Sequence, residues 1–339
     1  MTPFLKRPPW RTVLPGAAIL LCLWCAYLFW TPGLDIRDGR HDRGRHGLWL
    51  AHGWLGADEW FVRNGKTNEY SKYRDPHRIR ELADQLRRHH ITDIFPHLCP
   101  AGIDGHLPPV DDVQIERFLE CLAGMRVMPW IGGPNGGNVR FQDSKWRAVF
   151  TNDVASLLRA HPRLAGVHLN IEPLPSGDTN FLAFLEILRL SLPDGKVLSF
   201  AAYPPPTRWH PYAEVHWDKT YVREIARRCD QMVFMMYDAG QRVPKLYQHL
   251  MADWTREALA WSGDKPVLLG IPTYEDPGVD YHRASVENLT NALLGVHRGL
   301  YGQSLATNYQ GVAIYCDWET SESEWNFFEV HFLSHEASR

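Results

Sequence analysis

From residue 47 onward, strand-like and helix-like patterns alternate along the chain. Short apolar runs such as ITDIFPHL, which begins at residue 91, are typical of strands. Amphipathic stretches such as DPHRIRELADQLRRHH separate them, with apolar residues recurring at the spacing of a helix. We count eight strand-like runs, each followed by a helical stretch, and they begin at residues 47, 91, 126, 165, 196, 230, 265 and 309.

This alternation predicts an α/β fold with a parallel sheet, because a strand that returns through a helix pairs in parallel with the strand before it. Eight such units closed on each other form a TIM barrel, which takes about 250 residues. The alternative is an open doubly wound sheet, but no strand-like run is followed by the glycine-rich dinucleotide fingerprint. We therefore predict a (β/α)8 TIM barrel over residues 47–339.

The first residues have a different character. A basic tail at 1–12 precedes a nearly uncharged apolar segment, VLPGAAILLCLWCAYLFW, at 13–30. Its length is close to the roughly 20 residues that cross a bilayer. We predict a transmembrane anchor or a cleaved signal segment, followed by a linker at 31–46. The barrel is then expected outside the cytoplasm, periplasmic or extracellular, and either attached to the membrane through this helix or secreted.

Charge and cysteine content exclude some classes of protein. The formal net charge of -3 gives no reason to expect a nucleic-acid partner. The six cysteines have neither the spacing of a zinc site nor that of a disulfide framework, and no phosphate-binding loop is present in the sequence.

The strand-like run AGVHLNIEP carries the strongest indication of function. Its apolar residues alternate with His168, Asn170 and Glu172, so these three polar side chains share one face of the strand. Active sites of TIM barrels lie at the carboxyl ends of the strands, which is where Glu172 falls. A carboxylate there is costly unless it is paired or used, and we predict that Glu172 is functional.

Four short motifs in the predicted barrel order resemble those of glycoside hydrolase family 18, the chitinase-like barrels. That family carries D-x-x-D-x-D-x-E on its fourth strand, where this chain has Ala165, His168, Asn170 and Glu172, so that only the glutamate is kept. The sequence WIGG from residue 130 resembles the family's S-x-G-G, and the sequence MMYD from residue 235 matches its M-x-Y-D. The run LLGIPTYE is similar to its seventh strand.

The resemblance implies a catalytic mechanism without metal or cofactor. Glu172 would be the proton donor, and Tyr237 and Asp238 would bind the acetamido group or the developing oxazolinium. Asn170 stands where the family has an aspartate, and the N-I-E sequence is similar to the Asn-x-Glu pair of family 85 endo-N-acetylglucosaminidases. An amide there would still position the acetamido group. Such substrate-assisted enzymes are exceptions to the two-carboxylate scheme.

The expected substrate is a carbohydrate polymer or glycan that contains N-acetylhexosamine. The side chain of Tyr315 or Trp318 would form the floor of the sugar pocket, where the family has a tryptophan on its last strand. The full set of predicted substrate-binding residues is His168, Trp130, Tyr203, Tyr274, Glu275, Tyr315, Asp317 and Trp318.

Two alternatives remain open at this point. In one, the chain is a retaining glycosidase that uses two carboxylates, Glu172 after the fourth strand and Glu275 after the seventh. In the other, it is a barrel that binds sugar without cleaving it, because one fold hosts many functions.

Overall fold

The computed structural model describes residues 10–29, 31, 33–302 and 306–334. Within this part of the chain, strands form in all eight predicted runs, and the run from residue 126 is divided in two. The strands are β1 His46–Leu50, β2 Ile91–Pro96, β3 Arg126–Val127, β4 Trp130–Pro134, β5 Gly166–Glu172, β6 Val197–Ala202, β7 Gln231–Met235, β8 Val267–Pro272 and β9 Tyr309–Tyr315.

The helices follow the strands as predicted, with one helix before the barrel and a short one after β1. They are α1 Trp10–Phe29, α2 Glu59–Arg63, α3 Pro76–Arg88, α4 Asp112–Cys121, α5 Ser144–Ala160, α6 Thr179–Ser191, α7 Lys219–Arg228, α8 Pro244–Trp261, α9 Leu289–Leu300 and α10 Glu322–His331. Two short 3-10 helices, Tyr70–Arg74 and Ala213–Val215, lie in loops.

The strands form one parallel sheet that curls into a barrel. Its order is β3-β2-β1-β9-β8-β7-β6-β5-β4, and β3 and β4 are two pieces of the third barrel strand. This strand joins the two ends of the sheet, because Leu98 N donates to Trp130 O at 2.8 Å on the β2 side and Trp130 pairs with His168 on the β5 side. The barrel part of the fold prediction is confirmed, and β5 is the fourth strand of the barrel.

Aspartates define where five of the helices around the barrel begin. In each case the carboxylate accepts a hydrogen bond from a backbone N–H of the first helical turn, which would otherwise lack a partner. These N-cap residues precede α3 to α7 in order, and they are Asp75, Asp111, Asp143, Asp178 and Asp218.

The core has two parts, as the alternation of side chains along barrel strands requires. Residues such as Leu169 and Ile171 on β5 face outward and are buried under the helices. Inside the barrel, Trp49, Phe95 and Leu268 belong to a second buried cluster. This packed interior closes the barrel below the carboxyl ends of the strands and leaves the mouth as the place for a site.

The segment predicted as a linker at 31–46 packs, over its described residues 33–46, against the amino-terminal end of the barrel. Asp42 holds this segment in place. Its carboxylate lies 2.9 Å from His46 Nε2 and 2.6 Å from His90 Nδ1, and it accepts a hydrogen bond from Ser334 N at 2.9 Å. Despite its burial, His46 and the backbone hydrogen bond from Ser334 hold the pKa of Asp42 well below its usual range.

Helix α1 covers most of the segment predicted to span the membrane and contains Pro15. Within the described part of the chain, no helix has both the length and the apolar character that crossing a membrane requires. The predicted transmembrane helix, and membrane attachment through it, are therefore not supported. Residues 1–9 of the basic tail lie outside the described residues, and localisation outside the cytoplasm stays a prediction.

Candidate active site

Glu172 is the last residue of β5 and lies at the carboxyl-terminal mouth of the barrel. The register of the sheet places it opposite Pro134 and places Asn170 opposite Gly132, both on β4. Leu169 and Ile171 pack outward beneath the helices. The polar and apolar faces of this strand are therefore divided as the sequence predicts.

Two side chains donate hydrogen bonds to the Glu172 carboxylate. Asn170 Nδ2 lies 2.8 Å from Oε1, and the Tyr203 hydroxyl lies 3.4 Å from Oε2. The carboxylate is accessible from the mouth, but the surrounding walls remove much of its hydration. This loss raises the pKa of Glu172, and the negative charge of Asp238 adds to the effect, while the two hydrogen bonds oppose it. The environment therefore favours the protonated, proton-donating form.

Glu172 is shared by two cavities that meet at the mouth. The first has a volume of about 350 Å³ and lies toward the ends of β1 to β4; its lining includes His52, Trp60, His97, Trp130, Asn170 and Glu172. The second has a volume of about 270 Å³ and lies toward β6 and β7; its lining includes Glu172, Tyr203, Met235, Tyr237, Asp238 and Tyr281. Together they form a groove with the carboxyl group at its middle.

Tyr315, at the end of β9, lies at the centre of an aromatic cluster next to this groove. Its ring stacks on Tyr237 with a centroid distance of 5.5 Å and an angle of 18°. The edges of Tyr274 and Trp318 meet it at 5.2 and 5.7 Å. Tyr315 therefore lies beside the groove without lining either cavity, and its role as an aromatic floor stays a prediction. Trp318 is adjacent and 43% exposed, but it lines neither cavity.

The backbone conformation of Asp238 and contacts from two neighbouring side chains fix the position of its carboxylate at the second cavity. Its φ of 60° lies in the left-handed region, where aspartate is tolerated better than most residues. The Tyr274 hydroxyl donates a hydrogen bond to Asp238 Oδ1, and His282 Nδ1 lies 3.2 Å from the same oxygen. Tyr274 thus lies next to Asp238, as a support for that carboxylate and outside the lining of the two cavities.

Three further predicted substrate-binding residues lie away from the groove and its aromatic cluster, and these placements correct the sequence reading. His168 is fully buried below the groove, stacked on Phe95 at 4.1 Å and 2.8 Å from Ser199 Oγ, and burial lowers its pKa to about 3. Asp317 turns to the residue that follows β1 and accepts a hydrogen bond from Ala51 N at 2.8 Å.

Glu275 is the third of these residues. It lines a separate cavity together with Glu319 and Asn288, and this cavity does not include Glu172. The two carboxylates of the alternative glycosidase scheme are therefore not brought to one pocket.

The structure also brings in residues that the sequence reading missed. His97 directly follows β2, so its position at a strand end could have indicated it, whereas His52 comes from a loop. Their rings stack at 3.5 Å, His52 stacks on Trp60 at 4.0 Å, and His97 contacts Trp130 at 4.1 Å. Burial lowers the pKa of His52 to about 4 and that of His97 well below its usual value, so this stack is uncharged.

Fold and site together define a closed (βα)8 barrel with a carboxyl-centred, aromatic-lined groove at its mouth. The chain is similar to the C-terminal domain of a putative chitinase from Desulfitobacterium hafniense, with a TM-score of 0.56 and 16% identity over 84% of this chain and 99% of that one. It is similar to a chitinase from Bacteroides thetaiotaomicron, with a TM-score of 0.52 and 16% identity over 86% and 99%.

A third similar structure is the spore cortex-lytic enzyme SleL of Bacillus cereus, with a TM-score of 0.52 and 13% identity over 85% of this chain and 75% of that one. No protein-family model and no curated protein matches the chain. The predicted resemblance to family 18 chitinase-like barrels is thus confirmed for the fold. The comparison of the Asn-x-Glu pair with family 85 stays a prediction.

Proposed function

We propose that this chain is a glycoside hydrolase that cleaves glycans containing N-acetylhexosamine, with Glu172 as its acid/base. The observation that carries this proposal is the position of Glu172, a carboxyl group with a raised pKa shared by two adjoining cavities. A sugar chain lying along the groove would present a glycosidic oxygen to this group. The fold likeness to chitinases and to a cortex-lytic enzyme supports the choice of glycan.

The first step of the proposed reaction breaks the glycosidic bond. Protonated Glu172 gives its proton to the glycosidic oxygen, and the leaving sugar departs with the bonding electron pair. The carbonyl oxygen of the substrate's own acetamido group forms a bond to the anomeric carbon, which yields an oxazolinium. In the second step the Glu172 carboxylate takes a proton from a water molecule while that water attacks the anomeric carbon. The bond from this carbon to the acetamido oxygen breaks, and the oxazolinium ring opens. Because each of the two steps inverts the anomeric carbon, the product has the same anomeric configuration as the substrate.

Asn170 is proposed to hold the acetamido group. Its Nδ2 donates a hydrogen bond to Glu172, while its Oδ1 is buried without a hydrogen-bond partner among the described residues. An unpaired buried oxygen costs about 1–3 kcal/mol. A small rotation of the amide would bring this oxygen to the cavity that Asn170 lines, where the acetamido N–H would satisfy it. Tyr237 and Asp238 would contact the group from the second cavity.

The substrate-assisted mechanism is tested with a thiazoline that mimics the oxazolinium. We expect competitive inhibition of chitooligosaccharide hydrolysis, with an inhibition constant at least about 100-fold below KM, because transition-state mimics bind far more tightly than substrates. Asn170→Ala should lose most of this tight binding, whereas Asn135→Ala, in the turn after β4, should keep it. Covalent trapping of Glu275 by a fluorosugar would contradict the mechanism and favour the two-carboxylate scheme.

Tyr203→Phe tests the protonation state of Glu172. The general acid must be protonated, so kcat/KM should fall as pH rises through the pKa of Glu172, which lies above the ordinary 4.5. The Tyr203 hydroxyl stabilises the ionised form, and its removal should raise this pKa further. The falling limb should therefore move to higher pH by about half a unit.

The measurement is a pH profile of kcat/KM for the wild type and Tyr203→Phe. Tyr301→Phe, which changes a tyrosine that is 72% exposed, is the matched control and should leave the profile in place. A shift of the limb to lower pH in Tyr203→Phe would contradict the assignment of that limb to Glu172.

A further inference from the structure

Asp238, His282 and Glu287 form a compact cluster behind the second cavity. Asp238 follows β7, while His282 and Glu287 belong to the loop between β8 and α9. The side chains of His282 and Glu287 are both fully buried. His282 Nδ1 lies 3.2 Å from Asp238 Oδ1 and 3.7 Å from Glu287 Oε2. Each residue thus offers one ligand atom, and all three atoms lie within 4.8 Å of one another.

The imidazole is oriented as in metal-binding histidines. His282 Nε2 lies 2.9 Å from the carbonyl oxygen of Tyr274. A carbonyl only accepts, so Nε2 carries the hydrogen, and in the neutral ring Nδ1 presents its lone pair to the two carboxylates. Nδ1 makes no hydrogen bond of acceptable geometry with any described residue. Metal-ligating histidines typically donate their other ring N–H to such a carbonyl.

The two carboxylates are held by donors of their own. Ala239 N donates to Glu287 Oε2 at 3.0 Å, and Gln241 N donates to Oε1 at 2.8 Å. The Tyr274 hydroxyl donates to Asp238. These contacts fix the two carboxylates beside each other and beside His282 Nδ1, an arrangement that is stable only with a positive charge between the three groups. Burial lowers the pKa of His282, but Asp238 and Glu287 raise it overall, so a proton on Nδ1 supplies this charge when no metal is bound and a metal ion would replace that proton.

We propose that Asp238, His282 and Glu287 bind a divalent transition-metal ion of the Zn²⁺ type, and that the bound ion inhibits the enzyme. Tetrahedral Zn²⁺ with bonds of about 2.0–2.2 Å separates its ligand atoms by roughly 3.3–3.6 Å, close to the two distances from Nδ1. The ligand set of one imidazole and two carboxylates suits this ion. The fourth position would open to the second cavity, which Asp238 lines.

Inhibition follows from the use of Asp238 for two tasks. A metal-bound Asp238 cannot contact the acetamido group in the way that the proposed function requires. Only this inhibitory part of the inference rests on the proposed function, because binding of the ion depends on the three ligands alone.

Binding is tested by titrating the metal-free full chain with ZnCl₂ in a calorimeter. We expect one tight equivalent in the wild type. His282→Gln and Glu287→Gln should each weaken it by about 100-fold or more. His77→Gln is the matched control, since His77 lies on α3 with a side chain that is 70% exposed, and it should bind as the wild type does. Absence of a tight equivalent in the wild type, as expected if a proton alone lies between the three groups, would overturn the proposal.

Two further measurements distinguish loss of the metal site from misfolding of the variants, and failure of the metal site from failure of the proposed function. Anomalous scattering from wild-type crystals soaked in ZnCl₂ should place the ion between His282 Nδ1 and the two carboxylates, and an ion found only elsewhere would refute the site. Zn²⁺ should inhibit chitooligosaccharide hydrolysis over the same concentration range in which it binds. If binding occurs and activity is unaffected, the metal site stands and the inhibitory role is wrong.

Discussion

Glu172→Gln is expected to lower kcat for hydrolysis of a chitooligosaccharide by about 10³-fold, or roughly 4 kcal/mol, with KM changed little. The amide keeps the size of the side chain and its contact with Asn170, but its N–H group is far too weak an acid to protonate the glycosidic oxygen. General acid–base catalysis typically contributes 10²–10⁴-fold, which sets the expected size of the loss. The measurement is steady-state kinetics at the pH optimum, combined with calorimetric binding of the uncleaved sugar to the variant.

The matched control for this experiment is Glu275→Gln. Glu275 lies in a separate cavity with Glu319, so this variant should keep nearly full activity. Equal losses in both variants would favour the two-carboxylate glycosidase. Sugar binding by a wild type that releases no product from any N-acetylhexosamine glycan would instead favour the binding barrel.

Gly132→Ala is expected to destabilise the barrel by about 4 kcal/mol and to disturb the site at the same time. Gly132 has a φ of +116°, which strains any other residue, and an added Cβ would lie 2.1 Å from the carbonyl oxygen of Asn170. Backbone strain and overpacking each cost roughly 1–3 kcal/mol, so their sum sets the expected size. Because Gly132 pairs with Asn170 across β4 and β5, relief of the clash must move the strand that carries Glu172.

This prediction is checked by urea unfolding followed by circular dichroism. Gly137→Ala is the control, since Gly137 lies in the turn after β4 with its nearest outside atom 3.5 Å from an added Cβ and without a left-handed φ. It should change the free energy of unfolding by less than about 1 kcal/mol. A Gly132→Ala variant as stable as Gly137→Ala would show that the close approach of β4 to β5 is not required.

Much of the fold is predictable because its signals are local. The periodicity of each run distinguishes strand from helix, and aspartates such as Asp75 and Asp143 set the starts of helices through hydrogen bonds within a few residues. The prediction from sequence was not supported for the apolar segment at 13–30. Its composition predicted a membrane span, whereas the described part of the chain contains no helix long and apolar enough for one.

The site was predictable only where a regular strand carries its side chains to the mouth. The alternation of side chains along β5 correctly separates Asn170 and Glu172 from the outward-facing residues. It also places His168 on the inward face, but it does not show that His168 lies one layer deeper in the barrel. Residues beyond the strand ends were harder to place. Glu275 and Asp317 follow strands, as Glu172 does, yet their side chains turn to neighbouring segments.

The sequence by itself determined the order of eight strand–helix units, the facing of β5 and the position of Glu172 at a strand end, because these depend on contacts between near neighbours in the chain. Only the tertiary structure decided which loop side chains meet. Asp238 and His282 are 44 positions apart by numbering, and they come together because β7 and β8 lie side by side in the closed barrel. Loop directions depend on such distant contacts, which no local pattern records.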